Sequence, residues 1–393
     1  MNFKKNTYFF PFFFLLYEMA GNLSNDLYLP AMSQIADEFQ TDIANIGLTI
    51  AFWLAGNACL QWLLGPLSDR FGRREILFFG GGLFLISLAL SAFAPNFVVM
   101  LAGRFGQGIG VASLMVAGYA SIHESYSDQD AIKILAWITS ISILAPMMGP
   151  LIGGYLLQWV DWRSLFLIIA VFSAFALMGL WFCMPSTQAK DLYAFKIKEI
   201  LNGYTMLLKN KLFMKQSIML GFIYAALIAW ITGSPSVLIN EYQLSSVAFG
   251  LSQCPIFAGY IIGAQIGQKL ISRYAAKKLI QYGLTGCFIG SIVLMGCGYW
   301  LPNTLSGLIG ATSILVTGAG LITAPLNRLC FQCSEQAKGI TSAMFYMCMM
   351  FIGTFWSVMV SVMKVETASS LGVMMTISII AACICFNLRL CKN

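Results

Sequence analysis

Residues 44–94 read ANIGLTIAFWLAGNACLQWLLGPLSDRFGRREILFFGGGLFLISLALSAFA. Two apolar runs, 44–66 and 75–94, flank a short loop that carries Asp69, Arg70, Arg73 and Arg74. Each run is long enough for a helix of about 20 residues, the length that crosses the hydrocarbon of a bilayer. Neither alternates apolar with polar residues, so the pattern is that of a spanning helix and not of a barrel strand.

The same pattern recurs along the chain. Apolar runs lie at 8–31, 44–66, 75–94, 97–123, 131–158, 163–184, 213–239, 245–271, 277–300, 304–331, 339–363 and 368–390. Hydrophobic residues make up 59% of the 393 positions and charged residues 10%. A soluble domain needs far more polar surface to cover itself. The expected fold is therefore an all-α membrane protein of twelve transmembrane helices. Lys4 and Lys5 precede the first run, but that run is too long for a signal peptide and has no small-residue cleavage site, so it is read as the first span.

Charge sets the orientation. With the N-terminus in the cytoplasm, Arg163 and Lys364 are the only basic residues of 23 in outer loops, and Arg104 and Arg328 fall inside spans. All the others collect on the inner side. The positive-inside rule then places both termini in the cytoplasm. The formal charge of +7 is accounted for by this topology, so no nucleic-acid partner is expected. The cysteines lie mostly in apolar runs and read as packing residues. Cys330 and Cys333 have CxxC spacing without a second pair nearby, so no metal is expected.

The longest polar stretch, 185–212, divides the chain into 1–184 and 213–393, two bundles of six helices each. Within it, Ala194–Leu208 has apolar residues at helical spacing among lysines, as in a helix lying on the inner membrane surface. The halves keep a faint internal echo. Leu67-Ser-Asp-Arg70-Phe-Gly-Arg73-Arg74 recurs as Leu270-Ile-Ser-Arg273-Tyr-Ala-Ala-Lys277-Lys278, without the aspartate and glycine.

Charges inside a membrane cost on the order of 3 kcal/mol each and persist where they face a cavity or a partner. Four stand out: Glu18 and Asp26 in the first span, Arg104 in the fourth and Arg328 in the tenth. Asp26 is eight positions beyond Glu18, roughly 12 Å along a helix and turned by about 80°. Both can face one interior at different depths. Arg104 falls near the depth of Asp26, so the two could neutralise one another. Two acids cannot both be satisfied by one arginine. A carboxyl left over in a low dielectric can exchange protons near neutral pH, as a proton-coupling site requires. Pairing for assembly alone is the competing reading of Arg104, and Arg328 could be a packing or gating residue.

The run Gly65-Pro-Leu-Ser-Asp69-Arg70-Phe-Gly72-Arg73-Arg74 resembles the loop signature of the major facilitator superfamily. Arg104-Phe-Gly-Gln107-Gly108 resembles its fourth-helix motif. Ala145-Pro146-Met-Met-Gly149-Pro150-Leu-Ile-Gly153-Gly154 is similar to the fifth-helix motif of its proton-driven antiporters. Leu16-Tyr17-Glu18, Asn25-Asp26, Gly118-Tyr119-Ala120, Ser234-Pro235, Gln243-Leu-Ser-Ser246 and Pro255-Ile-Phe257 extend the likeness to the superfamily's bacterial multidrug/proton antiporters, more densely in the first half. The resemblance implies a drug/proton exchanger with a cavity between its halves. It puts Glu18, Asp26 and Arg104 at the acidic and basic cavity positions and Arg328 at the tenth-helix arginine. Asn22, Asn25, Tyr119 and Pro146 would line the substrate cavity. It further implies that Asp69, with Arg73, docks near Gly339 at the start of the eleventh span. Two positions depart from the pattern: Asn22 stands where an aromatic residue is usual, and His123, the single histidine, replaces a glutamine.

In physical terms, Gly65 and Gly72 permit tight turns and close helix approach. Pro146 and Pro150 interrupt a helix, and Gly149, Gly153 and Gly154 offer a smooth face to a helix of the other half. The expected function is export of lipophilic cationic or neutral drugs against protons by alternating access. A monomer in the bacterial inner membrane, working on small molecules and protons without a cofactor, would suffice. A dedicated exporter or importer of one metabolite, such as a siderophore or amino acid, is the first alternative. A non-transporting sensor or assembly factor is the second. An enzyme is not expected, because nothing in the chain forms a nucleophile or metal constellation.

Overall fold

The computed structural model describes residues 9–185, 197–301, 304–334, 336 and 338–387. Lys4, Lys5, the linker residues 186–196, Arg389 and Lys392 lie outside the described residues. Among the described residues the chain is all helical. The helices are α1 Phe9–Asp26, α2 Met32–Glu38, α3 Ile43–Ile46, α4 Leu48–Phe71, α5 Arg73–Ala92, α6 Phe97–Ser113, α7 Tyr119–Ser125, α8 Asp128–Ser142, α9 Ala145–Leu156 and α10 Trp162–Cys183. They continue with α11 Ile197–Lys209, α12 Lys211–Pro235, α13 Ser246–Leu270, α14 Ala276–Trp300, α15 Leu305–Gln332, α16 Lys338–Val362 and α17 Ala368–Asn387. Among the described residues, ten helices are long and apolar enough to cross a membrane, or eleven if the bent pair α8–α9 is one span.

Helix starts follow side-chain chemistry. Asn96, Ser127, Asp161, Asn210 and Ser245 each accept a hydrogen bond from the backbone N–H three residues on, capping α6, α8, α10, α12 and α13. Prolines and π turns shape the interiors. The run 131–158, read as one span, is two helices meeting at 41°. Pro146 sits in the first turn of α9, where its missing N–H costs nothing, whereas within one continuous helix its ring would clash with a carbonyl one turn back. The run 97–123 contains a π turn at Leu114–Gly118 that joins α6 to α7. Another π turn, Ser236–Glu241, follows Pro235 at the end of α12.

The chain forms two compact units. The first comprises residues up to Leu29 together with Phe52–Ile197, and the second comprises Pro30–Ala51 with the chain from Lys198 on. In the first, α1 packs on α9 and α10, and α5 on α6 and α10. A methyl group at Gly56 would overlap the Phe105 carbonyl, and one at Gly108 the Trp53 carbonyl, so α4 and α6 touch backbone to backbone. In the second unit α15 packs on α13 and α14, and α12 on α16 and α17. Buried polar pairs lie within it: Trp230 Nε1 donates to Gln253 Oε1 at 2.9 Å, and the Thr232 and Ser357 hydroxyls are 2.9 Å apart. The segment Pro30–Ala51 is held there by the Lys364–Asp42 ion pair at 2.5 Å and by Ser246 Oγ donating to the Pro30 carbonyl at 3.2 Å. Within the stretch 194–208, where a helix on the inner membrane surface is expected, a helix is described from Ile197 to Lys209, and residues 194–196 lie outside the described residues.

Candidate functional site

The first unit brings Arg104 of α6 and Tyr119 of α7 to the polar residues of α1. Glu18, Asn25 and Asp26 are buried, with 3%, 8% and 4% of their surface exposed, although all three are polar. Glu18 is met by α7: the Tyr119 hydroxyl lies 3.1 Å from each carboxylate oxygen and donates to them. The π turn that ends at Gly118 sets Tyr119 in place, and the Tyr119 ring stacks edge-on against Phe14 with centroids 5.5 Å apart. π turns inside α-helices often mark functional positions.

Arg104 on α6 is fully buried. Its Nη1 donates to the Ser24 carbonyl at 2.8 Å and to Gln107 Oε1 at 2.6 Å, and its Nη2 donates to Asn25 Oδ1 at 2.8 Å. The guanidinium carbon sits 4.7 Å from the centre of the Tyr28 ring. Gln107 in turn donates to Ser91 Oγ at 2.9 Å and to the Ser87 carbonyl at 3.3 Å on α5. The direct neutralisation of Asp26 expected from depth alone takes another form. Asn25 stands between them, accepting from Arg104 and donating to Asp26 Oδ1 through a long contact of 3.4 Å. Arg104 thus fixes the end of α1, and Asp26 is linked to it through an amide.

Two glycines of the fifth-helix run close the other side of Asp26. A Cβ at Gly149 would lie 2.6 Å from Asp26 Cβ, and one at Gly153 would overlap the Leu27 carbonyl. These glycines therefore face α1 of their own unit, where the sequence reading looked for a helix of the other half. Pro150 and Gly154 are buried in α9, and Pro146 is half-buried. Asn22 is half-buried on α1. Its four-residue spacing from both Glu18 and Asp26 puts all three along one side of the helix.

The 65–74 loop is tied within the first unit. Gly72 has φ 105°, a left-handed conformation that favours glycine, between α4 and α5. Gly65 lies inside α4, and a methyl group there would make ordinary contact with Val116 at 3.8 Å, so close approach does not require it. Arg73 pairs with Asp69 and with Glu124 of α7, the latter at 3.1 Å. Arg74 donates to the Trp181 carbonyl at 2.6 Å. Arg70 lies against the Phe71 ring, 5.2 Å from its centre. In the second unit Arg328 is exposed, and its Nη1 is 3.5 Å from the Ile271 carbonyl. His123 is exposed in the last turn of α7.

Sequence reading passed over Ser24, Tyr28, Ser87, Ser91 and Glu124. Serines and tyrosines are common in apolar runs and carry no spacing signal. Gln107 was legible, since three residues beyond Arg104 it shares a helix face with it.

The profile of the Major Facilitator Superfamily matches residues 14–358. The chain is 34% identical over 345 residues to the multidrug transporter MdfA of Yersinia pestis bv. Antiqua (strain Angola), covering 88% of this chain and 84% of that one. It is 32% identical over 349 residues to the chloramphenicol resistance protein CraA of Acinetobacter baumannii, with the same coverage of 88% and 84%. The crystal structure of a D-xylose-proton symporter superposes with a TM-score of 0.78 at 15% identity, over 96% of this chain and 97% of that one, a likeness of fold. A multi-pass protein of the bacterial cytoplasmic membrane, the chain belongs to the Major Facilitator Superfamily.

Proposed function

We propose that this chain is a drug exporter that exchanges lipophilic cationic or neutral molecules for protons by alternating access. The observation that carries the reading is the pair of buried carboxyls on one helix, Glu18 and Asp26. Each is held by neutral hydrogen-bond donors, the Tyr119 hydroxyl and the Asn25 amide. Such groups can gain and lose a proton without dismantling an ion pair. Relatives named for multidrug transport and for chloramphenicol resistance support drugs as the cargo.

In this scheme a proton occupies Glu18 or Asp26 when the site is open outward. Cargo entering from the cytoplasm displaces it, so that proton and cargo exclude one another. Asn22, Asn25 and Tyr119 supply adaptable contacts, and the 21 methionines of the chain suit a pliable lining. Moving one charge through 100 mV releases about 2.3 kcal/mol, roughly a forty-fold gradient for a neutral cargo exchanged for one proton. A monovalent cation exchanged one for one is electroneutral and draws only on the pH difference. The finer topology belongs to the same proposal. The 18-residue α1 is the twelfth span, six helices fall on each side of residues 185–212, and both termini are cytoplasmic. No cofactor takes part, and the chain works as a monomer.

The test is flux in purified proteoliposomes under an imposed pH gradient, with wild type beside Glu18→Gln and Asp26→Asn. A lipophilic cation and an uncharged phenicol serve as cargoes. Wild type should export both when the outside is acidic, and at least one variant should lose gradient-driven flux while still binding cargo. Flux that ignores the gradient, or normal pumping by both variants, would end the proposal. Accumulation of cargo driven by outside acid would identify an uptake symporter instead.

A further inference from the structure

Gly80, Gly81 and Gly82 follow one another on α5, and each meets something different. A Cβ at Gly80 would overlap Ser113 on α6, and one at Gly81 would lie 2.6 Å from Leu177 on α10. Those two are explained by helix packing. At Gly82 nothing lies within 4 Å, and the open space is a groove of about 320 Å³ between α5 and α10. Its walls are Phe78 and Leu85 on one side and Leu177, Met178, Trp181 and Phe182 on the other.

A polar group stands at one end of this apolar furrow. Arg74 lies eight residues before Gly82 on the same helix, about 12 Å away along its axis, and positions 74, 78, 82 and 85 share a face. Its guanidinium is 5.7 Å from the centre of the Phe78 ring and 5.0 Å from that of Trp181, two groups at the groove's mouth. Among the described residues it donates one hydrogen bond, to the Trp181 carbonyl at the end of α10. A guanidinium has five N–H donors, so several remain. The neighbouring Glu75 is exposed and turned about 100° away around the helix. A cation held between two rings at the head of an apolar groove matches one kind of membrane molecule, an acyl chain with an anionic head. A helix about 10 Å across is too thick for a furrow of this volume.

We propose that the α5–α10 groove is a phospholipid site, in which Arg74 binds the phosphate of an anionic lipid and one acyl chain lies over Gly82. The site is separate from the Glu18–Asp26 cluster and does not depend on drug export. The full chain, exchanged from detergent into nanodiscs of mixed phosphatidylglycerol and phosphatidylcholine and then stripped, would be examined by native mass spectrometry for retained lipid. Wild type should retain one phosphatidylglycerol with about a five-fold preference over phosphatidylcholine, the equivalent of roughly 1 kcal/mol for one cation near an anionic headgroup. Arg74→Gln should keep a bound lipid and lose the preference. Because Arg74 also caps α10, Gly82→Phe provides an independent check: it fills the groove from a position whose Cβ meets nothing within 4 Å, and should abolish retention while the protein elutes as wild type. Equal retention of the two lipids by wild type, retention of detergent alone, or undiminished phosphatidylglycerol on Gly82→Phe would each overturn the assignment.

Discussion

Gly149 on α9 lies directly against Asp26 on α1: a methyl group added to it would stand 2.6 Å from Asp26 Cβ and 3.3 Å from the Asp26 carbonyl carbon. No rotamer change relieves such a contact, because the atoms it meets belong to the backbone or are bonded to it. The glycine run of α9 is therefore part of the acid site, where it sets how near the fifth-span helix stands to the carboxyl-bearing turn.

Gly149→Ala should displace the end of α1 and cost about 1–3 kcal/mol of stability, the usual range for overpacking. Gly153→Ala, whose Cβ would overlap the Leu27 carbonyl, should cost at least as much. Gly310→Ala, on α15 with nothing within 4 Å, is the control and should be neutral or stabilising by up to about 1 kcal/mol. Melting temperature in detergent and drug flux in proteoliposomes would be measured together. Equal behaviour of Gly149→Ala and Gly310→Ala would remove the packing argument.

Arg104→Lys should fail as a replacement. The guanidinium fork reaches Ser24, Asn25 and Gln107 at once and lies over the Tyr28 ring, and an ammonium on a flexible stem cannot span these positions. Since hydrogen bonds to charged groups contribute about 1.5–3 kcal/mol each, losing even one or two should lower the melting temperature measurably. Arg104→Lys with wild-type stability and flux would show that only the charge matters.

The spans were legible because lipid demands long uninterrupted apolar runs, and the capping residues Asn96, Asp161 and Ser245 mark where several begin. The acids were legible because a carboxyl such as Glu18 is costly in an apolar helix. What stayed hidden is geometry decided by tertiary packing. Pro146 signals an interruption, but whether α8 and α9 bend at 41° or form one kinked helix depends on what receives their faces. The π turn at Leu114–Gly118 has no signature among those residues, yet it presents Tyr119 to Glu18. Asn25, next to Asp26 and about 100° around α1 from it, puts its amide between Arg104 and Asp26, a rotation that depth along a helix cannot resolve. That Pro30–Ala51 packs with the second unit is set by contacts such as Asp42–Lys364, distant in sequence.

Tyr119→Phe removes the donor to Glu18 and keeps the ring against Phe14, so it should cost about 1 kcal/mol and reduce gradient-driven flux. Tyr119→Ala loses both contacts and should cost more. The neighbouring position offers a sharper test of the π turn. A Cβ at Gly118 would overlap the Phe14 ring, so Gly118→Ala should be destabilising alone and partly rescued by Phe14→Leu. A double-mutant cycle that is additive within about 0.5 kcal/mol would show that the two positions do not interact.

Asp161 offers a pH-dependent prediction outside the membrane spans. Its Oδ1 accepts from the Ser164 hydroxyl at 2.5 Å and from the Ser164 backbone N–H at 2.9 Å. These bonds, with the nearby Arg163, hold the carboxyl below its usual range. A folded-state value depressed below the unfolded one contributes stability that is complete above about pH 4 and is lost as pH falls through the folded value. The group is largely exposed, so this pH-dependent part is small, while the cap itself is the larger effect. Asp161→Ala should lower stability by about 1 kcal/mol at pH 7, and wild type should fall toward it in acid. Asp161→Asn caps about as well at pH 7 and cannot titrate, so its melting temperature relative to Asp161→Ala should not change between pH 6 and pH 3. If wild type and Asp161→Asn lose stability in parallel over that interval, the ionised carboxylate is not what holds the start of α10.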